Sequence, residues 1–358
     1  MLVEEADVED VALGATVLGT GGGGDPNVGK LVAKQAIREH GTVELIDPAE
    51  LDDDALVIPT AQMGAPTVAV EKVPGGGEPA ASLERLEREL GTEADATMPI
   101  ECGGINSTFP FAVAARKGIP LVDADGMGRA FPELQHETFN IYGVDGTPAA
   151  VSDERGNVCL LETESNAELE WLARGLTVRM GGVGYVADYP MSGAEVKDTA
   201  IPGTMSLASE LGAAVRSAGE DVVDAIRSVT ADSIYGEATS LFEGKIVDVK
   251  RRNEGGFVLG HVELAGLGQD HGSSMRIEFQ NENLAAKRDG EYVATVPDLI
   301  TVLDRESGDP IPTERLRYGA RARVLAIPTP PIMRSEAALD VWGPRTFGIE
   351  TDYTPLST

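Results

Sequence analysis

Apolar and polar residues follow two different periods along the chain, and the first helical pattern lies at the amino-terminal end. From Val8 to Leu18 the apolar side chains recur at the spacing of an amphipathic helix. A run of glycines follows, and a second helical pattern then continues to about Gly41. The glycine run is therefore predicted to be a loop that joins two helices.

The rest of the first half alternates short apolar runs with helical patterns. The apolar runs include "TVELI", "ALVIPTA", "ATMPIE" and "IPLVDAD", and the helical patterns include "SLERLEREL" and "FPFAVAARKG". Strands that alternate with helices favour a parallel sheet covered by crossover helices. Residues 1–165 are accordingly predicted to form an α/β domain with a mostly parallel sheet.

The second half changes character from helical to strand-like. Two helical stretches, "SNAELEWLARGL" and "TMSLASELGAAVRSAGEDVVDAIRSV", are followed by segments such as "GFVLGHVEL" and "SMRIEFQNENL" in which apolar residues alternate. That alternation is typical of an antiparallel sheet. We therefore expect a C-terminal α+β domain over residues 166–350, helical at its start and then β-rich, and a frayed tail over 351–358.

Length and composition agree with two domains, since 358 residues exceed what one hydrophobic core usually supports. No segment approaches the run of about 18 apolar residues that a membrane-spanning helix needs. The acidic start "MLVEEADVED" lacks the features of a secretory signal, and Cys102 and Cys159 are too few for a disulfide framework. These features predict a cytoplasmic protein without a membrane partner.

The charge balance is strongly acidic. Asp and Glu number 59 against 29 Lys and Arg, a net charge of −30. Carboxylates spread over the whole chain are typical of proteins that stay soluble in concentrated salt, so a halophilic source is expected. The same charge repels phosphate backbones, which argues against a nucleic-acid partner.

The glycine run "LGTGGGGDPNVGKL" matches two phosphate-binding patterns, and its context contradicts both. The dinucleotide pattern needs a strand before the glycines, but a helix is predicted there. The mononucleotide pattern needs Ser or Thr after Lys30, but Leu31 follows. No nucleotide is therefore expected, and Gly21, Gly22, Gly23 and Gly24 are interpreted as backbone that closes on a small ligand. The alternative is a helix–helix corner in which Asp25 caps the second helix.

A second group of candidates lies where predicted strands end. Glu101 follows the strand "ATMPIE", and Asp123 and Asp125 lie at the end of "IPLVDAD". Open α/β sheets bind their ligands at the carboxyl ends of the strands, so these carboxylates are candidates for a shared proton or a divalent metal. The alternative interpretation is capping and surface solvation. Farther along, "FQNENL" places Asn281, Glu282 and Asn283 at a strand end, as a turn or as a polar patch that faces the other domain.

Seven segments together resemble the S-methyl thiohydantoin desulfurase family, which is encoded near hydantoinase and oxoprolinase genes. The segments are "LGTGGGGDPNVGKLVAKQA", "MGAPTVAVEK", "ECGGINSTFPFAVAARKGIPLVDADGMGRAFPELQ", "FQNENL", "PDLITVLD", "RYGARARVLAIP" and "GPRTFGI". The resemblance covers about Val8 to Ile349. It implies an α/β domain followed by a strand-rich domain. It also implies a metal-dependent enzyme that replaces the C2 sulfur of a 2-thiohydantoin, or of its S-methyl form, by oxygen to give a hydantoin.

This reaction needs an activated water and a proton for the departing sulfur. We expect Glu101, Asp123, Asp125 and Asp25 to serve as catalytic groups, and Asp123 and Asp125 to hold zinc or manganese with His271 or His261. The expected contacts to the heterocyclic substrate come from backbone and polar groups, with Arg129 on a substrate carboxylate. Those groups are Gly21, Gly22, Gly23, Gly24, Asn106, Arg129, Asn281, Glu282 and Asn283.

Two other functions stay open at the level of sequence. One is an amidohydrolase of the hydantoinase or oxoprolinase type, or an accessory subunit of such an enzyme. The other is a metabolite-binding protein without catalysis. A homo-oligomer is expected in each case.

Overall fold

The computed structural model describes residues 1–24, 26–64, 68, 72, 74–255 and 257–356. The helices of this part of the chain, numbered in chain order, are α1 (Val8–Leu18), α2 (Pro26–His40), α3 (Glu78–Leu90), α4 (Phe109–Lys117), α5 (Thr138–Ile141), α6 (Asn166–Arg179), α7 (Gly193–Thr199), α8 (Thr204–Ala218), α9 (Val222–Ala231) and α10 (Glu336–Trp342).

The strands of the first half are short and mostly buried. They are β1 (Leu2–Val3), β2 (Val43–Ile46), β3 (Leu56–Gly64), β4 (Ala96–Pro99), β5 (Leu121–Val122), β6 (Ala124–Asp125), β7 (Ala149–Ser152), β8 (Val158–Leu161), β9 (Val183–Ala187), β10 (Met191–Ser192) and β11 (Ile201–Pro202). The strands of the second half are longer: β12 (Thr239–Glu254), β13 (Phe257–Gly266), β14 (Ser274–Gln280), β15 (Glu282–Arg288), β16 (Glu291–Thr295), β17 (Leu299–Asp304) and β18 (Arg321–Ile327).

The first sheet is mixed rather than mostly parallel. Its order is β1-β2-β5-β4-β3-β9-β7-β8, and β10 also pairs with β3. The neighbours β2, β5, β4 and β3 run parallel, as the strand–helix alternation predicts, and the other pairs are antiparallel. Strands β9 and β10 belong to this sheet although they follow residue 165. The chain therefore returns to the first sheet after the predicted boundary.

The second sheet is antiparallel throughout and has the order β16-β15-β14-β13-β12-β18-β17. One side of it carries a separate apolar cluster that includes Phe242, Val262, Ile277 and Val324. The alternating segments of the second half thus form the predicted β-rich domain, and the α/β and β-rich fold classes are confirmed.

The helical segment before the second sheet is two helices rather than one. Helix α8 ends at Ala218, the next residue Gly219 has a φ of +56°, and α9 begins at Val222 after a short 3-10 turn. Glycine adopts positive φ without steric cost, so the chain changes direction there. No helix of the described part of the chain is long and apolar enough to cross a membrane.

The tail is held in place up to its described end rather than frayed. The Tyr353 hydroxyl lies 3.1 Å from both carboxylate oxygens of Asp298, and the Leu356 amide donates to the same carboxylate at 3.4 Å. Residues 357–358 lie outside the described part.

Helices α1 and α8 pack at a contact that has no room for side chains. A Cβ on Gly14 would lie 1.8 Å from the carbonyl oxygen of Ala208, and a Cβ on Gly212 would lie 1.8 Å from that of Asp10. Both distances are far below van der Waals contact, so the two backbones touch only because glycine stands at both positions. This contact fixes α1, and with it the start of the glycine run.

We expect Gly14→Ala to lower the free energy of unfolding by about 1–3 kcal/mol, because the added methyl group forces α1 and α8 apart. Gly175→Ala in α6 is the matched control, since no atom lies within 4 Å of the position that its added methyl group would take. Its expected effect is a gain of up to about 1 kcal/mol from helix propensity. Urea unfolding at fixed high salt measures both, and equal effects of the two variants would contradict the close contact.

Candidate active site

A polar cleft lies where the carboxyl ends of β3 and β4 meet the tip of the β14–β15 hairpin. Its volume open to water-sized molecules is about 60 Å³, and the space between its atoms is about 560 Å³ with the open mouth included. Its walls come from both halves of the chain. The lining residues are Gly23, Gly24, Gln62, Met63, Gly64, Ile100, Glu101, Ile105, Asn106, Met127, Phe131, Pro132, Glu133, Leu134, Arg174, Asn281 and Glu282.

The glycine run is the contact between the two halves at this cleft. A Cβ on Gly22 would lie 2.3 Å from both Cγ and Oε1 of Glu282. A Cβ on Gly23 would lie 2.3 Å from the carbonyl carbon of Gly103. Any side chain at these positions would displace either the Glu282 side chain or the loop after β4. The consecutive glycines therefore serve close packing of backbone, and Gly23 and Gly24 border the cleft.

Backbone hydrogen bonds hold this junction in one arrangement. The Ile105 amide donates to the Gly23 carbonyl at 2.7 Å, and the Thr313 amide donates to the Gly21 carbonyl at 2.9 Å. The Asn283 amide donates to the Thr20 carbonyl at 2.8 Å. Both halves of the chain thus hydrogen-bond to the same short loop. Gly21 and Gly22 are buried in these contacts rather than open to a ligand.

Glu101 is a buried carboxyl group that is oriented by two donors. It follows β4 at the carboxyl end of the parallel strands and is 4% exposed. The Asn106 side-chain amide donates to its Oε1 at 2.5 Å, and the Phe131 amide donates to its Oε2 at 3.2 Å. Asn106 is itself fixed because it exchanges hydrogen bonds with the backbone of Gln62. Burial raises the pKa of Glu101 to about 8, although these two hydrogen bonds favour its ionised form.

Glu282 enters the cleft from the other half of the chain and is 3% exposed. It begins β15 directly after Asn281, which turns the hairpin with a φ of +58°. Its Oε2 is buried and has no hydrogen-bond partner among the described residues. Burial, and next to it the charge of Glu101, holds the pKa of Glu282 well above its usual range. A buried carboxyl group beside a second one tends to stay protonated at a pH where a free carboxyl group is ionised.

Asn281 and Asn283 are structural parts of the same hairpin. The Asn281 side chain accepts the Val258 amide at 2.9 Å, which ties the turn to β13. The Asn283 side chain donates to the Ile300 carbonyl at 2.9 Å. Asn281 lines the cleft, whereas Asn283 lies behind it. Their hydrogen bonds fix the position of Glu282 between them.

Arg129 does not bind a substrate carboxylate, because protein groups accept all of its hydrogen bonds. Its side chain is fully buried, and its Nη2 donates at 2.7 Å to both the Thr20 hydroxyl and the Asn283 carbonyl. Its Nη1 donates to the carbonyls of Pro297 and Asp298, and its Nε donates to that of Ala130. Arginine has five N–H groups, so none is left for a ligand. Arg129 ties the two halves together behind the cleft.

Asp123 is a helix cap. Its Oδ1 accepts the amides of Met205 and Ser206 at 2.9 and 3.0 Å, in the first turn of α8. A carboxylate at this position satisfies free amides and the positive end of the helix dipole. Asp123 does not line the cleft, and its predicted role in metal binding or proton transfer stays a prediction.

Asp125 lies behind the cleft and supports the loop that follows it. It is fully buried, and its Oδ1 accepts the amides of Met127 and Gly128 at 2.6 and 2.5 Å. Burial raises its pKa to about 6. Its charge in turn contributes to the raised pKa of Glu101, so Asp125 acts on the site through electrostatics rather than by contact with a ligand.

The predicted metal ligands are not brought together. His271 is exposed beyond a turn of the second sheet, and His261 is paired on β13 with Arg276. Among the described residues, no three His, Cys, Asp or Glu side chains are placed to hold a metal ion. The residues present therefore do not fit the metal that the family resemblance implies. Asp25 is outside the described residues, so its predicted role stays a prediction.

Sequence reasoning missed Arg174 and the aromatic wall of the cleft. Phe131 lines the cleft and stacks on Trp342 with ring centroids 4.6 Å apart and planes at 1°. Arg174 of α6 forms an ion pair with Glu170 at 2.6 Å. The spacing of four residues was the only signal for that pair in the sequence, and it is equally typical of an exposed helix surface.

The comparisons with known proteins agree with this architecture. The chain has the fold of a protein from Chromobacterium violaceum whose structure was determined by X-ray crystallography, with a TM-score of 0.83, 24% identity and 100% of both chains covered. No curated protein matches the chain. Two family models match consecutive parts of it, the S-Me-THD-like N-terminal domain at residues 6–163 and the S-Me-THD-like C-terminal domain at residues 164–356.

Because these two models together cover nearly the whole chain, the protein belongs to the S-Me-THD-like family, which matches the S-methyl thiohydantoin desulfurases.

Proposed function

We propose that this protein is a desulfurase that replaces the C2 sulfur of a 2-thiohydantoin, or the S-methyl group of its alkylated form, by oxygen from water. The observation that carries the proposal is the pair of buried carboxyl groups, Glu101 and Glu282, in one cleft at the carboxyl ends of the parallel strands. Family membership supplies the class of substrate.

The two carboxyl groups take different roles because their surroundings differ. Glu101 accepts hydrogen bonds from Asn106 and from the Phe131 amide, and both stabilise its ionised form. Glu282 has an unpartnered buried oxygen, Oε2, which suits a protonated acid. We therefore assign Glu101 as the general base and Glu282 as the general acid.

The addition step starts with water between the carboxylate of Glu101 and C2 of the ring. Glu101 takes one proton from the water while the water oxygen forms a bond to C2. The electron pair of the C=S bond moves to sulfur, and sulfur takes the proton of Glu282. The product of this step is a tetrahedral carbon that carries one OH and one SH group.

The elimination step restores both side chains. The C–S bond breaks, and the leaving sulfur takes the proton that Glu101 holds and departs as hydrogen sulfide. The OH group gives its proton to Glu282 as the C=O bond forms. The sum is thiohydantoin and water to hydantoin and sulfide. An S-methyl substrate has a C2=N bond in place of C=S, so the ring nitrogen takes the proton of Glu282 in the addition step. The C–S bond then breaks, the leaving sulfur takes the proton that Glu101 holds, and methanethiol departs.

Incubation of the purified full-length chain with 2-thiohydantoin in concentrated potassium chloride tests the proposal. The expected result is release of sulfide in equal amount to hydantoin. Ring opening without sulfide would instead identify an amidohydrolase, and tight binding without turnover would identify a metabolite-binding protein. Either result would overturn the proposed reaction.

Glu101→Gln is expected to lower kcat by about 10²–10⁴, since an amide cannot take a proton from water. Asp123→Asn is the matched control, because asparagine caps a helix about as well as aspartate and Asp123 does not line the cleft. Steady-state sulfide release measures both variants. Comparable rates for wild type and Glu101→Gln would remove Glu101 from the mechanism.

Gly22→Ala is expected to abolish turnover by displacing Glu282, whose Cγ lies 2.3 Å from the added methyl position. Gly77→Ala is the control, since nothing lies within 4 Å of that position. Activity and the melting temperature are measured together. A folded Gly22→Ala variant with normal activity would contradict the placement of Glu282 against the glycine run.

The stability of the protein is expected to fall as the pH rises from about 4.5 to about 8, in part because of Glu101, whose pKa burial raises from 4.5 to about 8. In this window the folded state holds a proton that the unfolded state has lost, so unfolding becomes easier by up to about 1.4 kcal/mol per pH unit. Glu101→Gln removes this contribution. Urea unfolding at several pH values should show a shallower slope in the variant, and parallel slopes would contradict the raised pKa.

A further inference from the structure

The mouth of the cleft carries a positive charge that the proposed reaction does not use. Arg174 projects from α6 to line the cleft, and its side chain is 13% exposed. The acidic residues that share the lining are Glu101, Glu133 and Glu282. Among the described lining residues, Arg174 is the one cation. It lies near enough to Glu282 for its charge to oppose the rise in the pKa of that carboxyl.

The guanidinium of Arg174 is fixed in place, yet it retains free donors. Its Nε donates to Glu170 at 2.6 Å, and its Nη2 donates to the Pro132 carbonyl at 2.9 Å. The Phe257 ring packs on its flat face, 4.8 Å from Cζ to the ring centroid. Arginine has five N–H groups, so three of them have no acceptor among the described residues. Arg129, by contrast, uses all five.

Glu170 holds the guanidinium from behind without occupying its front. Its second oxygen accepts the Leu134 amide at 3.0 Å, which ties α6 to the segment that forms one wall of the cleft. Glu170 is 6% exposed, and burial raises its pKa against the opposing effect of Arg174. A guanidinium held by a buried carboxylate, a carbonyl and an aromatic ring loses little conformational entropy when it binds another group.

We propose that Arg174 binds a carboxylate of the substrate, so that the substrate class is a thiohydantoin ring with an acidic side chain. The inference rests on the proposed function for the identity of the ring. The role that the sequence predicted for Arg129 thus belongs to Arg174. Paired N–H groups of a guanidinium match the two oxygens of a carboxylate, which is the favoured geometry for this contact.

The net negative charge of the protein opposes the binding of an acidic substrate, so a local cation such as Arg174 favours it. The chain carries a net charge of −30, which repels anions at long range. Concentrated salt screens that repulsion beyond a few ångströms, but contacts inside the cleft remain. Protonation of Glu282 reduces the negative charge beside the ring, and Arg174 supplies the attraction at the mouth.

Binding of two matched ligands directly tests whether Arg174 is the anchor of a substrate carboxylate. The ligands are the hydantoin with a carboxymethyl group on C5 and its primary amide, which has nearly the same shape without the charge. Isothermal titration at fixed high salt gives the ratio of their dissociation constants. We expect the wild type to prefer the acid by about 10–100-fold, the usual value of a hydrogen bond to a charged group.

Variants at Arg174 and Glu170 test whether the preference for the acid depends on the Arg174 side chain rather than on the fold. Arg174→Met alone leaves Glu170 without its partner, so we pair it with the double variant Glu170→Gln/Arg174→Met, in which glutamine still accepts the Leu134 amide. Both are expected to lose the preference for the acid. Arg179→Met, on the exposed end of the same helix, removes the same charge outside the cleft and should keep the preference.

The outcomes distinguish this inference from the proposed reaction. Equal affinity of the wild type for acid and amide, or a preference that survives in the double variant, would overturn the anchor. Sulfide release from acid and amide thiohydantoins with equal kcat/KM would overturn the anchor and leave the reaction intact. A preference for the acid that depends on Arg174, without sulfide release from any thiohydantoin, would support the anchor and overturn the reaction.

Discussion

The site depends on two close contacts that only glycine permits. At Gly22 and Gly23 the amino-terminal loop lies against the Glu282 side chain and the Gly103 backbone, with less than a methyl group of space. Three segments from distant parts of the sequence meet there. Because Glu101 lies beside Gly103 in the chain and Glu282 presses on Gly22, the same contacts set the position of both carboxyl groups. The glycines serve the site by bringing two acids into one cleft.

The buried charged groups at this junction serve two roles: Arg129 has a structural role, and the carboxyl groups Glu101 and Glu282 have a chemical one. Arg129 is fully buried with all five N–H groups in use, and removal of such a group leaves several carbonyls without donors. It stabilises the loops behind the cleft. The carboxyl groups in front of it make fewer hydrogen bonds; burial raises the pKa of Glu101 to about 8 and holds that of Glu282 well above its usual range. Acid–base chemistry requires carboxyl groups whose hydrogen bonds are not all made within the protein.

The sequence predicted the elements more fully than the contacts. Periodicity predicted α1, α2 and the strands of the second sheet, because packing on one face leaves a regular pattern. The strand-end rule pointed to Glu101, and the polar turn pointed to Glu282. Arg129 has the right residue type in the right segment, but groups of the protein accept all of its hydrogen bonds. Asp123 likewise has a suitable type, but its Oδ1 caps α8. Whether the protein itself supplies the hydrogen-bond partners of a side chain depends on tertiary structure and leaves no local pattern in the sequence.

Arg174 shows the opposite case. Its pairing with Glu170 four residues earlier is typical of a solvated helix surface, so nothing in the sequence indicates that α6 turns this pair toward the cleft. The antiparallel pairing of β9 with β3 places α6 beside the first sheet, and this return of the chain crosses the boundary predicted at residue 165. Topology therefore determines whether a common surface motif becomes part of a site.

The division of roles in the cleft requires that Glu282 holds a proton while Glu101 is ionised. Infrared difference spectroscopy of the wild type against Glu282→Gln at about pH 9, above the pKa of about 8 that burial gives Glu101, detects that proton without any substrate. The variant is expected to lose one carbonyl band of a protonated carboxylic acid. Loss of a carboxylate band instead would show that Glu282 is ionised in the folded protein, and Glu282 could then not protonate the leaving sulfur.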